Sequence, residues 1–316
     1  MLHSPTPRRA VLLMGPTGSG KSELALKLVE HLPLEIISVD SALVYRGMDI
    51  GTAKPDAAIR ARVPHHLIDI RDPAEGYSAG DFILDAQRAM QDIWARGHIP
   101  LLVGGTMLYF HALSEGIADL PAADLEVRAR IDARAAELGW PAVHRELAAV
   151  DPVAAQRIHS NDPQRIQRAL EVFHLTGTPI SILQQSRVSA FADVNVKEIA
   201  LATLERNDLH HRIKLRFERM LEAGFHAEMT NLYARGDLTA EHPSMRAVGY
   251  RQMWRHLTGE LALDEASGQA IAATRQLAKR QLTWLRKRTQ ARWFDAVHPD
   301  VAHMILNALS EGGFTR

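Results

Sequence analysis

GPTGSGKS, residues Gly15–Ser22, follows the apolar run VLLM (Val11–Met14) and opens the segment KSELALKLVEHL (Lys21–Leu32). It is the G-x-x-x-x-G-K-[ST] pattern in full, set between a strand signal and a helix signal, the context that confirms such a match. Glycines let the backbone approach a ligand, N–H groups and the helix N-terminus hold phosphate oxygens, and the lysine adds a point charge. Gly15, Pro16, Thr17, Gly18, Ser19, Gly20, Lys21 and Ser22 are therefore expected to cradle two linked phosphates. The Ser22 hydroxyl is placed to ligate Mg²⁺. The loop reads phosphates and not the group attached to them, so a nucleoside triphosphate and a bare allylic diphosphate both satisfy it.

Working outward, Arg9–Met14 reads as the first strand, and Leu24, Ala25, Leu28 and Val29 form one stripe of the following helix. EIISVD (Glu35–Asp40) is a second strand signal and HHLIDI (His65–Ile70) a third. DFILDAQRAMQDIWARG (Asp81–Gly97) reads as a helix stopped by its glycine. IPLLVGG (Ile99–Gly105) is continuously apolar, as parallel strands are. This alternation predicts an α/β fold with a P-loop NTPase-like parallel sheet and helices on both faces. From Asp124 to about Ser186 only helix signals remain. Gly139 and Gly177 sit at C-cap positions, and Asp151-Pro152 and Asp162-Pro163 each place proline behind an N-cap. A small all-helical insertion is expected at 121–190, between core segments 1–120 and 191–316. VKEIALATL (Val196–Leu204) reads as a strand returning to the sheet. Helices follow at Asp208–Ala223 and Phe225–Arg235, then a turn region at Pro243–Tyr250 and a long basic helix.

Composition narrows the chemistry. With 316 residues, 46% of them hydrophobic, the chain can bury a real core. It has no cysteine, which excludes disulfides, thiolate metal sites and a thiol nucleophile, and suits the cytosol. No apolar run approaches the roughly 18 residues of a membrane span, and Met1–Pro7 reads as a loose arm. Lysine plus arginine equals aspartate plus glutamate, 37 each. Yet no acid lies between Glu265 and Asp295, where Arg275, Lys279, Arg280, Arg286, Lys287, Arg288 and Arg292 fall. Such a local excess is either a polyanion footprint or a solvated face paired to acids elsewhere.

Asp40 ends a strand, and carboxyl ends of strands in open sheets face the ligand crevice. It has two chemical readings: a water-mediated Mg²⁺ ligand, or a base that takes a proton from an attacking nucleophile. The simplest alternative is a turn aspartate. LLVGGT (Leu101–Thr106) delivers two glycines and a hydroxyl to the same crevice, which suits contact to a leaving oxygen better than activation of water.

Together with the phosphate loop, SVDSALVYRGMDIGTAKP (Ser38–Pro55), LLVGGTMLYF (Leu101–Phe110), NDPQRIQRALEV (Asn161–Val172) and MRAVGYRQMW (Met245–Trp254) resemble the tRNA dimethylallyltransferases. The resemblance runs from about Val11 to Trp293. It implies transfer of a dimethylallyl group from its diphosphate to N6 of the adenosine just 3′ of the anticodon, with Mg²⁺ required and diphosphate released. It implies that Asp40 takes the amine proton, that Thr106 hydrogen-bonds the bridging oxygen, and that Lys21 and Arg216 neutralise the departing diphosphate. The tRNA contacts it implies are Asp40, Ser41, Ala42, Leu43 and Thr106; Arg128; Gln164, Arg165, Ile166, Gln167 and Arg168; and Arg246, Ala247, Val248, Gly249, Tyr250 and Arg251. Arg165 and Arg168, three apart on a helix, share a face. The target base must leave its stack to react, and anticodon-loop recognition relies on splayed bases and backbone contacts. The expected partners are the tRNA anticodon stem-loop and dimethylallyl diphosphate, with no membrane and no protein partner, for a cytoplasmic monomer whose one metal is Mg²⁺. Two rivals remain at this point. A small-molecule or nucleoside kinase would use ATP, with Arg128, Arg130 and Arg134 as lid arginines. A nucleotide-gated RNA-binding protein would do no chemistry.

Overall fold

Apolar runs bounded by glycine and charge become β1 (Arg8–Met14), β2 (Leu34–Val39), β3 (His65–His66), β4 (Ile99–Gly104), β5 (Val194–Ala202) and β6 (Arg292–Asp295). In the computed structural model, which describes residues 8–118, 120–185, 188–203 and 205–314, they form one sheet of order β3-β2-β4-β1-β5-β6. Every neighbouring pair is parallel. Strands β2 and β4 are buried at every residue, which explains their lack of polar alternation. At Gly104 a Cβ would overlap the Val39 carbonyl, so glycine permits the close β2–β4 approach at the site end of the sheet.

The chain divides into two units, Met1–His111 with Phe191–Arg316, and Ala112–Ala190. The first carries the sheet with α1 (Lys21–His31), α2 (Ala57–Arg62), α3 (Ala79–Ala95) and the start of α4 (Met107–Glu115). Helix α3 begins with a reciprocal cap, Ser78 accepting from Asp81 N–H and Asp81 accepting from Ser78 N–H. The second unit holds α5 (Leu125–Leu138), α6 (Trp140–Val150), α7 (Pro152–Arg157), α8 (Pro163–Thr176) and α9 (Ile180–Leu183). Its ends are joined where Ala190 N–H donates to Leu113 O at 2.9 Å. The unit thus begins at Ala112, within α4. Its core gathers Val127, Ile131, Val143, Leu147, Ile166 and Leu170. Back in the first unit come α10 (Arg206–Glu222), α11 (Phe225–Ala234), α12 (Tyr250–Leu257), α13 (Leu263–Leu285) and α14 (Val301–Glu311).

Two cores position the site. One packs Leu24 and Leu28 of α1 with Ile305 and Leu309 of α14 against the sheet. The other joins Val44, Met48, Phe217, Phe225, Tyr250 and Trp254 into a wall beside the strand ends.

The HHLIDI expectation fails after two residues. Leu67 and Asp69 take positive φ, 63° and 58°, which no strand continues. Asp69 is held there by Lys54 and Arg60, each at 2.5 Å. Strand β6 carried too short a signal to stand apart from the helices around it. Strand β5 begins at Val194, earlier than expected; Leu204, the Met1–Pro7 arm and Ser186 lie outside the described residues. Among the described residues no helix is long and apolar enough to cross a membrane.

Candidate active site

The Gly15–Ser22 loop leaves β1 and turns into α1, with Gly18 and Gly20 at φ 81° and 84°. Only glycine enters that region at little cost. A Cβ at Gly15 would overlap the Leu201 carbonyl of β5, so the loop is seated directly on the neighbouring strand. Lys21 folds back over the loop: its Nζ donates to Pro16 O at 2.7 Å and to Ser19 Oγ at 3.4 Å. Ser22 is exposed at the first turn of α1.

Asp40 and Thr106 come together across the ends of β2 and β4. Thr106 N–H donates to Val39 O at 3.2 Å, and Ser41 N–H donates to Thr106 Oγ1 at 3.1 Å. Asp40 Oδ1 accepts from Ala42 N–H at 2.8 Å and Leu43 N–H at 3.4 Å. These bonds orient one carboxylate oxygen; among the described residues the other accepts no hydrogen bond. Asp40, and not Thr106, lines the cavity described below.

Gln281 of α13 ties the two halves together. Its Oε1 accepts from Thr17 N–H and its Nε2 donates to Gly105 O, both at 2.9 Å. Nothing local in the sequence marks it, because its partners lie 264 and 176 residues away. Gln281→Leu would leave the Thr17 N–H and the Gly105 carbonyl unpaired at about 1–3 kcal/mol. Expected are a lower Tm and weaker pyrophosphate binding; calorimetry on both properties checks this.

Arg216 sits on α10 and donates through Nη2 to Thr52 O at 3.2 Å. It has no carboxylate partner among the described ion pairs. Burial lowers the pKa of the Lys21 ammonium to about 7, with Arg216 adding to the effect and Asp40 opposing it. Burial likewise depresses Arg216, again against Asp40. Two partly desolvated cations held near each other, with only Asp40 to offset them and no ion pair to either among the described residues, make a site that an anion completes.

Around them lies a cavity of about 1090 Å³, above the usual size of a small-molecule pocket, roughly 300–1,000 Å³. Its walls include the phosphate loop, Asp40, the turn from Asp49 to Pro55, and Arg212, Arg216 and Arg219 of α10. Arg212 reaches the loop itself, with Nη2 3.3 Å from where a Gly20 Cβ would stand. Arg212 and Arg219 carried no separate signal in the sequence.

The other expected residues divide. Ser41 is exposed, and Ala42 and Leu43 are half-buried beside Asp40. Arg246 and Arg251 are exposed, and Ala247 and Val248 are half-buried. Arg246 pairs with Glu241 at 2.5 Å. Gly249 and Tyr250 are buried, and the Tyr250 hydroxyl donates to Glu228 at 2.5 Å. In the helical unit, Gln164 and Arg165 are exposed, whereas Ile166 lies in the core. Gln167 donates to Asp132 at 2.6 Å. Arg128 and Arg168 both grip the fully buried Glu171, at 2.8 and 2.7 Å. Arg165 instead leans on Asp162 at 3.5 Å, so the two α8 arginines are engaged differently.

On α13 Lys279 and Arg280, and just past its end Arg286 and Lys287, are exposed, and none has an ion pair among the described residues. Lys287 lies over the ring of the part-exposed Trp284. A basic face interleaved with an aromatic suits a nucleic-acid strand.

A parallel sheet whose first strand feeds a glycine-rich loop and helix, with a carboxylate and cations at the strand ends, defines a P-loop α/β protein. A family model described as IPP transferase matches residues 43–288. The chain belongs to the IPP transferase family. Among solved structures it is similar to the full-length tRNA isopentenylpyrophosphate transferase of Bacillus halodurans, 38% identical over 97% of this chain and 98% of that one, with a TM-score of 0.68. The corresponding transferase of Staphylococcus epidermidis is 30% identical over 96% and 98%, with a TM-score of 0.67. A eukaryotic dimethylallyltransferase acting on tRNA is 26% identical over 96% of this chain and 79% of its own, with a TM-score of 0.81.

Proposed function

We propose that this chain transfers the dimethylallyl group of dimethylallyl diphosphate to N6 of the adenosine 3′-adjacent to the anticodon in tRNA. The observation that carries the proposal is one cavity lined by Asp40 and by two unpaired cations, Lys21 and Arg216, over a phosphate loop. Family membership supports the same reaction.

In this mechanism the loop N–H groups, Lys21 and Arg216 hold the donor diphosphate. The bond from adenine N6 to the allylic carbon forms as the carbon–oxygen bond to diphosphate breaks. The N6 proton passes to Asp40, and the electron pair of the broken bond leaves on diphosphate. Thr106 offers its hydroxyl proton to the bridging oxygen, since its oxygen already accepts from Ser41 N–H. Donors fixed in advance where charge develops are the main source of such acceleration.

Ser22 and Asp40 fit Mg²⁺, being hard oxygen donors, and the described residues contain no cluster of three His, Asp or Glu that would hold a metal unaided. An ion there would be shared with the phosphates and would neutralise leaving-group charge. Arg246, Arg251 and the basic face of α13 are assigned to the tRNA backbone, with Gln164 and Arg165 as the exposed contacts of the helical unit. Ile166 and Tyr250 support these segments from inside. We take the chain to act as a cytoplasmic monomer, on its lack of cysteine and because one chain supplies every residue invoked.

The direct test is diphosphate release in the presence of unmodified tRNA, dimethylallyl diphosphate and Mg²⁺. Release that needs tRNA and proceeds without ATP supports the transferase. ATP converted to ADP, with no diphosphate released, would return the kinase to the front.

The depressed Lys21 supplies a pH prediction. Free protein loses the Lys21 proton above about pH 7, while a bound diphosphate restores the charged form. Pyrophosphate affinity should therefore fall with rising pH above that point, by up to about tenfold per unit. Lys21→Arg stays charged throughout, so its affinity should stay flatter. Titration calorimetry of both proteins from about pH 6 to 9 compares the slopes.

A further inference from the structure

Glu228 of α11 takes no part in the chemistry described, yet it binds the turn that lines the cavity through three backbone groups. Its carboxylate accepts three consecutive backbone N–H groups, from Asp49 at 2.8 Å, Ile50 at 2.6 Å and Gly51 at 3.2 Å. The Tyr250 hydroxyl adds a fourth bond at 2.5 Å. A carboxylate with several short donors is strongly fixed.

The turn it holds is unusual in itself. Ala53 adopts a positive φ of 53°. A Cβ at Gly51 would overlap the Phe225 ring and crowd Tyr250, so only glycine lets those rings lie against the turn. The far side is pinned by Lys54, whose side chain is 1% exposed. Its Nζ donates to Tyr45 O, Asp49 and Asp69 at 2.7, 2.6 and 2.5 Å. What this clamped turn presents to the cavity is the Thr52 carbonyl, the group that accepts from Arg216. For a half-buried arginine with no carboxylate partner among the described ion pairs, that carbonyl is the polar group that orients the guanidinium.

We propose that Glu228 is a positioning residue for diphosphate: by fixing the Asp49–Lys54 turn it sets the Thr52 carbonyl, and through it the Arg216 guanidinium, over the phosphate loop. Tyr250, the buried residue of the Arg246–Arg251 segment, is the second anchor of the same carboxylate. This rests on the assignment of the cavity to the donor diphosphate.

The test is a double-mutant cycle on inorganic pyrophosphate binding by the full chain, measured by calorimetry with Mg²⁺ present. Glu228→Gln keeps the side-chain shape but puts an NH₂ where an oxygen accepted backbone donors. It should weaken pyrophosphate binding by about tenfold in the native background. In an Arg216→Gln background the same change should weaken it by less than about twofold, because the guanidinium it positions is already gone. Equal losses in both backgrounds would show a purely structural role and overturn the proposal. If Glu228→Gln does not fold, Tyr250→Phe replaces it in the cycle, since it keeps the ring packing and removes one donor. The same non-additivity with Arg216 supports the proposal, and additivity overturns it. Unaltered protein that binds no pyrophosphate would instead overturn the cavity's assignment, and this inference with it.

Discussion

Asp40→Asn should lower the rate of prenyl transfer by about 10²–10⁴-fold, the usual worth of a positioned general base, while leaving tRNA affinity within about twofold. The substitution is informative because of how Asp40 is held. Its Oδ1 accepts from Ala42 and Leu43 N–H, and an asparagine oxygen can keep both bonds. The turn should survive; what disappears is the capacity to take the N6 proton. Single-turnover kinetics at saturating tRNA, beside a filter-binding titration, separates the two effects. A loss below about tenfold would move the base elsewhere, and a parallel loss of tRNA affinity would make Asp40 a binding residue first.

Glu171→Leu should destabilise the helical unit by about 3 kcal/mol, near the lower end for breaking a buried ion pair. Glu171 is 0% exposed and accepts from Arg128, Arg168 and Asp124 N–H. Burial alone would raise its carboxyl pKa, but the hydrogen bonds from the two arginines outweigh it and hold the group below its ordinary value. A depressed carboxylate stabilises above its unfolded pKa and loses that contribution as pH falls through the folded one. The deficit of the variant should therefore be full near neutrality and shrink in acid. Thermal denaturation at several pH values measures it, and a deficit that grew in acid would contradict the ion-pair explanation.

The Glu171 cluster also shows where sequence patterns stop being informative. NDPQRIQRALEV marks a helix start correctly, since Asp162 caps α8 and Pro163 opens it. A shared motif does not say which way each side chain points. Ile166 goes to the core, Arg168 to Glu171, and Arg165 to the surface. The same holds for MRAVGYRQMW, where Arg246 and Arg251 are exposed and Tyr250 is wholly buried.

The phosphate loop and Asp40 were readable because their geometry is local: a strand end, a glycine turn and a helix start fix both within a few residues. Gln281 and Glu228 were not, since each acts on backbone groups more than 170 residues away. The third strand failed for a nearer reason. HHLIDI has strand composition, but pairing of Asp69 with Lys54 and Arg60, 15 and 9 residues before it, holds left-handed backbone there. Long-range partners override local propensity wherever a site is assembled from separate segments.

The measurement that bears most directly on the proposed reaction is nucleoside mass analysis of an unmodified tRNA after incubation with the protein, dimethylallyl diphosphate and Mg²⁺. The prediction is a gain of one five-carbon prenyl unit on a single adenosine, at the position 3′-adjacent to the anticodon, and no gain with Asp40→Asn under the same single-turnover conditions. Unchanged nucleosides, or a prenyl group at another base, would contradict it.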